Sequence, residues 1–149
     1  MEAEKAHQKK YDYVLDLDVT SPLRTLQDLE DGLEQIKANQ SALVLFSVSE
    51  PHRNPYFNQV EMQENGFAKI AKSADQTFYS RQASPKVYDI NGSFYYYTRQ
   101  FFDLGLTSVI TDKTLVYLMN HVCFDIDTPL DFDFMEFVLK EKKLDFLDF

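Results

Sequence analysis

Two carboxylates, Asp125 and Asp127, stand two positions apart in a short extended segment that leads into a helix. Extended backbone projects such residues to the same side, so both can face one metal ion. Mg²⁺ suits that arrangement, because it takes one or two carboxylates and completes its shell with water and substrate phosphates. The plainer reading is a pair of surface acids favoured by the helix dipole, and on the dyad alone that reading is the stronger. Thr20-Ser21-Pro22-Leu23-Arg24 lies between a strand and a helix, the place where open α/β sheets bind ligands. Taken alone, it is also ordinary turn chemistry of Ser and Pro. Arg81-Gln82 sits in a polar stretch. The planar fork of Arg suits a carboxylate or phosphate, although on these two residues alone a solvated surface Arg is the stronger reading. Tyr95, inside Phe94-Tyr95-Tyr96-Tyr97, reads first as core or interface.

Other chemistries find little support. His7, His52 and His121 are scattered, and with Cys123 they make no metal spacing. Glycine-rich phosphate loops and nucleophile elbows are not present. Acids outnumber bases by 24 to 15, a net charge of -9, which disfavours a nucleic-acid backbone or anionic membrane as main partner. Cys123 stands alone, which excludes an internal disulfide and points to a reducing compartment. With neither an apolar leader nor an apolar run of about 18 residues, the expectation is a cytoplasmic protein.

Elements must position these groups. Tyr11, Tyr13, Leu15, Leu17 and Val19 alternate with Asp12, Asp16 and Asp18, predicting a strand that Pro22 ends. Thr25 with Asp28 forms a capping box, and Leu26, Leu29, Leu33 and Ile36 give the following helix an apolar face. Residues 41–49 are a second apolar strand. A strand–helix–strand unit predicts a right-handed crossover between parallel strands. Residues 57–62 and 67–72 flank Glu64-Asn65-Gly66 as a hairpin. Strands are expected at 93–98 and 115–119, with a helical turn near 99–104. A last helix has Thr128 as cap, Pro129 at its first position, Asp131 closing the box, and Leu130, Phe134, Phe137 and Val138 inward. The 44% hydrophobic content, 13 Phe and nine Tyr support one packed unit over 1–149.

In order, Thr20 to Arg24, Arg81-Gln82, Asn91-Gly92 before an aromatic strand, and Asp125 to Asp127 resemble the CMP-sialic acid synthetases (acylneuraminate cytidylyltransferases). The resemblance runs from about Tyr11 to Leu139. It implies an α/β, Rossmann-like nucleotidyltransferase fold. That fold has three layers, a mainly parallel sheet and a protruding antiparallel element. It also implies a homodimer, and CMP transfer from CTP to a nonulosonic acid with release of pyrophosphate. Carried over by position, Asp125 and Asp127 hold Mg²⁺, with Asp127 and Arg81 catalytic. Arg81 meets an anionic group, while Asp18, Arg24, Gln82, Asn91 and Tyr95 bind substrate.

Asp18 departs from the family, whose sialic acid members commonly carry Gln there. An ionised carboxylate accepts but does not donate hydrogen bonds. That turns the reading away from N-acetylneuraminate and leaves legionaminate- or pseudaminate-type sugars open. The family's Gly-, Lys- and Arg-rich CTP loop has no match, so the expectation is a C-terminal part of the domain, inactive by itself. The alternative is a catalytically silent module that dimerises or binds sugar.

Overall fold

The computed structural model describes residues 2–74, 78–80 and 82–146. It divides into two compact units, one formed by Met1–Ser49 with Ile90–Phe149 and the other by Glu50–Asp89.

The first unit opens with helix α1 (Glu2–His7), followed by strand β1 (Tyr13–Leu17). Helix α2 (Leu26–Ala38) starts at the expected capping box. The Thr25 hydroxyl accepts from the Asp28 amide at 3.1 Å, and the Asp28 carboxylate accepts from the Thr25 amide at 2.7 Å. The pair satisfies N–H groups that a helix start otherwise leaves unbonded. Leu29, Leu33 and Ile36 face the core as expected, but Leu26 in the first turn is exposed. Strand β2 (Val44–Ser49) carries the most continuous burial in the chain, Val44 and Leu45 being wholly enclosed.

The sheet corrects the sequence reading. Its order is β1, β5 (Asp89–Thr98), β2, β6 (Thr114–Leu118). β1 pairs antiparallel with β5, Tyr13 opposite Thr98 and Leu17 opposite Phe94. Thr98 meets Leu43 while Phe94 meets Ser47, so β5 also runs against β2. Only β2 and β6 pair in parallel. β1 and β2 do point the same way, as the strand–helix–strand pattern predicts, but they do not pair. β5 is inserted between them, and the pairing is mostly antiparallel rather than mainly parallel. A crossover fixes the direction of the strands it joins and leaves the slot between them open.

Gly32 of α2 lets the helix approach β5. A Cβ there would lie 2.9 Å from the Phe94 ring, itself fully buried. Phe94 packs edge-on to Tyr96 and tilted on Tyr117, their centroids 5.9 and 5.6 Å away. Helix α3 (Arg99–Asp103) follows β5 and ends at Gly105, whose φ is +67°. There the Gly105 and Leu106 amides turn back to the Phe102 and Phe101 carbonyls at 3.0 and 3.3 Å, which closes the helix end. Helix α4 (Pro129–Lys140) has the predicted Thr128–Asp131 box and Pro129 at its start. Its buried residues are Met135 and Val138, whereas Leu130, Phe134 and Phe137 are half or more exposed. Apolar side chains surround this helix, so the 3.6-residue period does not select a single face.

In the second unit, β3 (Val60–Met62) and β4 (Ala68–Ile70) pair antiparallel around the expected Asn65-Gly66 turn, Gly66 having φ +81°. Asn54 organises the segment before it. Its carbonyl accepts the amides of Phe57, Asn58 and Gln59 at 2.9–3.2 Å, and its side chain reaches the Pro85 carbonyl at 3.1 Å.

Candidate functional site

The end of β1, the start of β5 and the segment after β6 converge on Ser21. The Thr20–Arg24 turn is held from inside. Arg24 Nη1 lies 2.9 Å from the Asp18 carbonyl, 2.7 Å from that of Ser21 and 2.9 Å from that of Ser93. Carbonyl groups at the end of a strand need donors, and a guanidinium supplies several from one side chain. Asp18, next to the turn, accepts the Thr20 amide at 2.9 Å and the Thr20 hydroxyl at 2.8 Å. The amide, then the hydroxyl, hold its carboxyl below the usual aspartate range, against some desolvation.

Asn91 lies deeper. Its Oδ1 accepts the Ser47 hydroxyl at 2.6 Å and the Ser93 amide at 3.2 Å. Its Nδ2 donates to Ser49 Oγ at 2.8 Å and to Met119 Sδ at 3.2 Å. Ser21, Ser47 and Ser93 are fully enclosed around it. Among the described residues, every enclosed side-chain nitrogen or oxygen has a partner. Such networks impose a specific geometry because each unmet bond is costly in a dry interior.

Asp125 meets this network from the other side. The Ser21 hydroxyl donates to its carboxylate, and the Ile126 amide donates to the Thr20 carbonyl at 2.8 Å. Asp127 is exposed, its amide bonded to the Asp131 carboxylate at 3.2 Å. Tyr95 of β5 lines a groove with Asp16, Leu17, Asp18 and Val19. Burial first, then the charges of Asp18, Asp125 and Asp16, push its phenol above the usual range, so the groove is negatively charged. Cys123 lies 3.9 Å from Ser21 Oγ, and burial raises its thiol, which makes it a poor nucleophile.

Comparison with known proteins follows from this geometry. The chain is 37% identical over 150 residues to the post-translational flagellin modification protein B of Campylobacter coli, covering all of this chain and 62% of that protein. It is 43% identical over 98 residues, 65% of its length, to the CMP-N,N'-diacetyllegionaminic acid synthase of Campylobacter jejuni, 40% of which is covered. The chain resembles the CMP-sialic-acid-synthetase-like proteins. It spans about three-fifths or less of the length of these curated relatives. No family model matches it. A solved CMP:2-keto-3-deoxy-manno-octonic acid synthetase complexed with CTP superposes with a TM-score of 0.57 at 13% identity. The match covers 95% of this chain and 67% of that one, and it shows the shared fold.

For this synthetase-like chain, the structure gathers Asp18, Arg24, Asn91, Tyr95 and Asp125 at one end of the sheet. Arg24 and Asn91 turn inward and spend their hydrogen bonds on the protein. Gln82 lines a separate cleft within the second unit, with Asn54, Lys86 and Tyr88. Arg81 lies outside the described residues.

Sequence reading passed over Ser21 as an individual residue and took Asp28 only as a cap. Asp28 also meets His121 Nε2 at 2.9 Å and the Tyr117 hydroxyl at 3.3 Å, with the His121 ring stacked on Phe146 at 3.9 Å. Burial raises the Asp28 carboxyl, but bonds from Thr25 and His121 bring it below the usual range. The partners lie 89 and 93 residues from Asp28, so no local pattern announces them.

Among the described residues, no group of three or more His, Cys, Asp or Glu side chains is placed to hold a metal ion alone. The donor set of Asp125 and Asp127 nonetheless fits Mg²⁺, a hard cation that binds through two carboxylates when phosphate oxygens supply the remainder.

Proposed function

We propose that the protein carrying this chain transfers CMP from CTP to a nonulosonic acid, giving a CMP-sugar and pyrophosphate. The observation that carries the reading is the seating of Asp125 on the Thr20–Arg24 turn, beside Tyr95 and Asp18. That seating occurs in a chain 43% identical over 98 residues to a CMP-legionaminic acid synthase. A legionaminate-type sugar is the favoured acceptor. Asp18, an acceptor-only group held by Thr20, favours sugar substituents that donate hydrogen bonds.

In this reaction the anomeric hydroxyl of the sugar attacks the α-phosphate, and pyrophosphate leaves. Asp125 and Asp127 would hold Mg²⁺, which when bound offsets charge on the phosphate oxygens. Tyr95 borders the acceptor groove. Asp18 and Asp16 make that groove anionic, so it would take the hydroxyl and amide donors of the sugar, with the sugar carboxylate directed away from it. Arg24 and Asn91 position the turn that carries these groups. Arg81 would meet the sugar carboxylate or a phosphate, and Gln82, in the cleft of the second unit, would bind substrate there. Catalysis here is chiefly positioning and electrostatics.

The finer fold assignment, a three-layer Rossmann-like nucleotidyltransferase, is supported by the 0.57 TM-score. A homodimer is supported by an apolar groove lined by Leu15, Tyr97, Phe101, Phe102 and Leu106. Cytoplasmic location accords with the finding that no helix among the described residues is long and apolar enough to cross a membrane.

The test is pyrophosphate release from CTP and Mg²⁺ by the intact gene product, with a panel of nonulosonates. Release with one of them, matched by CMP-sugar on mass spectrometry, is expected. Background rates with every sugar would remove the proposal.

A further inference from the structure

The Thr20–Arg24 turn occupies a position where ligands commonly bind, yet Ser21 and Leu23 are buried and Arg24 bonds backbone carbonyls of the protein. Ser21 has no exposure. Its hydroxyl carries one proton and lies between two acceptors, the Asn91 carbonyl at 2.7 Å and the Asp125 carboxylate. A charged acceptor makes the stronger bond, so the proton is directed to Asp125. The backbone repeats the connection one residue on, where the Ile126 amide meets the Thr20 carbonyl at 2.8 Å. Arg24 in turn holds the Ser21 carbonyl at 2.7 Å, and the Ser93 hydroxyl donates to the same carbonyl at 3.3 Å. Gly92 has no side chain, and even an added Cβ would stand 3.7 Å from Asp125 Oδ1.

We infer that Ser21 is a positioning residue whose hydroxyl orients the Asp125 carboxylate for cation binding. The inference rests on the reading of Asp125 as a metal ligand. One carboxylate oxygen is tied to a fully enclosed hydroxyl, and the whole carboxylate is thereby held in one orientation. An untethered aspartate would sample several rotamers and lose freedom on binding the ion. The Thr20–Arg24 turn thus acts on the reaction through Asp125, not by touching substrate.

The test uses Mn²⁺ as the probe and the full 149-residue chain, with and without CTP. Paramagnetic broadening of the Gly92, Asp125 and Asp127 amide signals reports binding even when it is weak. In Ser21→Ala, affinity should fall roughly tenfold or more, the usual effect of removing a group that orients a metal ligand. Ser47→Ala removes another fully enclosed hydroxyl, one bonded to Asn91 Oδ1 and the Phe94 backbone and not to Ser21 or Asp125, so it should leave the broadening unchanged. If Ser21→Ala does not fold, Ser21→Cys keeps the volume with a much weaker donor and should show the same loss. Wild-type affinity in the Ser21 variants, or an equal loss in Ser47→Ala, overturns the positioning role alone. No broadening at these residues in the wild type, even with CTP, overturns the metal-ligand reading and the inference with it.

Discussion

Replacing Asn91 with Ala should cost this protein much of its stability. Its side chain makes four hydrogen bonds, to Ser47, the Ser93 amide, Ser49 and Met119, and the residue is 7% exposed. A net intramolecular hydrogen bond contributes about 0.5–1.5 kcal/mol. The Met119 and Ser93 contacts, at 3.2 Å to a sulfur and to an amide, belong at the lower end of that range. The Ser47 hydroxyl retains the Phe94 carbonyl at 3.3 Å, which limits the penalty for stranding it. The expected loss is therefore about 2–4 kcal/mol, against a typical total of about 5–15 kcal/mol. In a domain of this size the melting temperature should fall by roughly 5–15 °C. The chain has nine Tyr and no Trp, so urea unfolding followed by tyrosine fluorescence and near-ultraviolet circular dichroism is the direct assay. A midpoint shift at constant slope is expected. A loss below about 0.5 kcal/mol would refute the argument, because it would mean that water or neighbouring groups replace all four bonds at no cost.

Gly32→Ala tests helix propensity against packing. The substitution favours the helix by about 1 kcal/mol, but a Cβ 2.9 Å from the enclosed Phe94 ring costs about 1–3 kcal/mol, so a net loss in urea midpoint is expected. Glu4→Gln probes acid stability. Its bond to Arg99 lowers the Glu4 carboxyl from 4.5 to about 2. A depressed folded-state value adds stability above pH 4.5 that is lost as pH falls towards 2, so wild type and variant should differ at pH 7 and converge near pH 2. Unequal urea midpoints at pH 2 would count against this. Asp127→Asn in the intact protein should lower pyrophosphate release at least tenfold with an unchanged melting curve, whereas unchanged turnover removes Asp127 from the mechanism. Light scattering should give a dimer at micromolar concentration, and Phe102→Asp, at the rim of the apolar groove, should yield monomer. A monomeric wild type would sink that expectation.

Local signals carried most of the elements. The two capping boxes and the Asn65-Gly66 turn each lie within a few residues and formed as their chemistry dictates. The alternation before Pro22 gave a strand over Tyr13–Leu17, but Leu15, Leu17 and Val19 are exposed, so its apolar face is not buried. The four motifs in order also pointed to the proteins that the chain resembles. What the sequence could not specify was long-range. β5 enters the sheet between β1 and β2 and reverses the expected pairing, because the slot between two crossover-linked strands is filled by whichever strand buries best there. The inward face of α4 was decided by Leu23 and Leu144 packing on Met135 and Val138, since apolar residues lie all round that helix. The site shows the same division. Residue types suggested Asp125, and the family resemblance added Tyr95 and Asp18. Only the tertiary structure joined Ser21 to Asp125 across 104 positions and turned Asn91 into the buried network, because a hydrogen bond depends on distance in space and not along the chain.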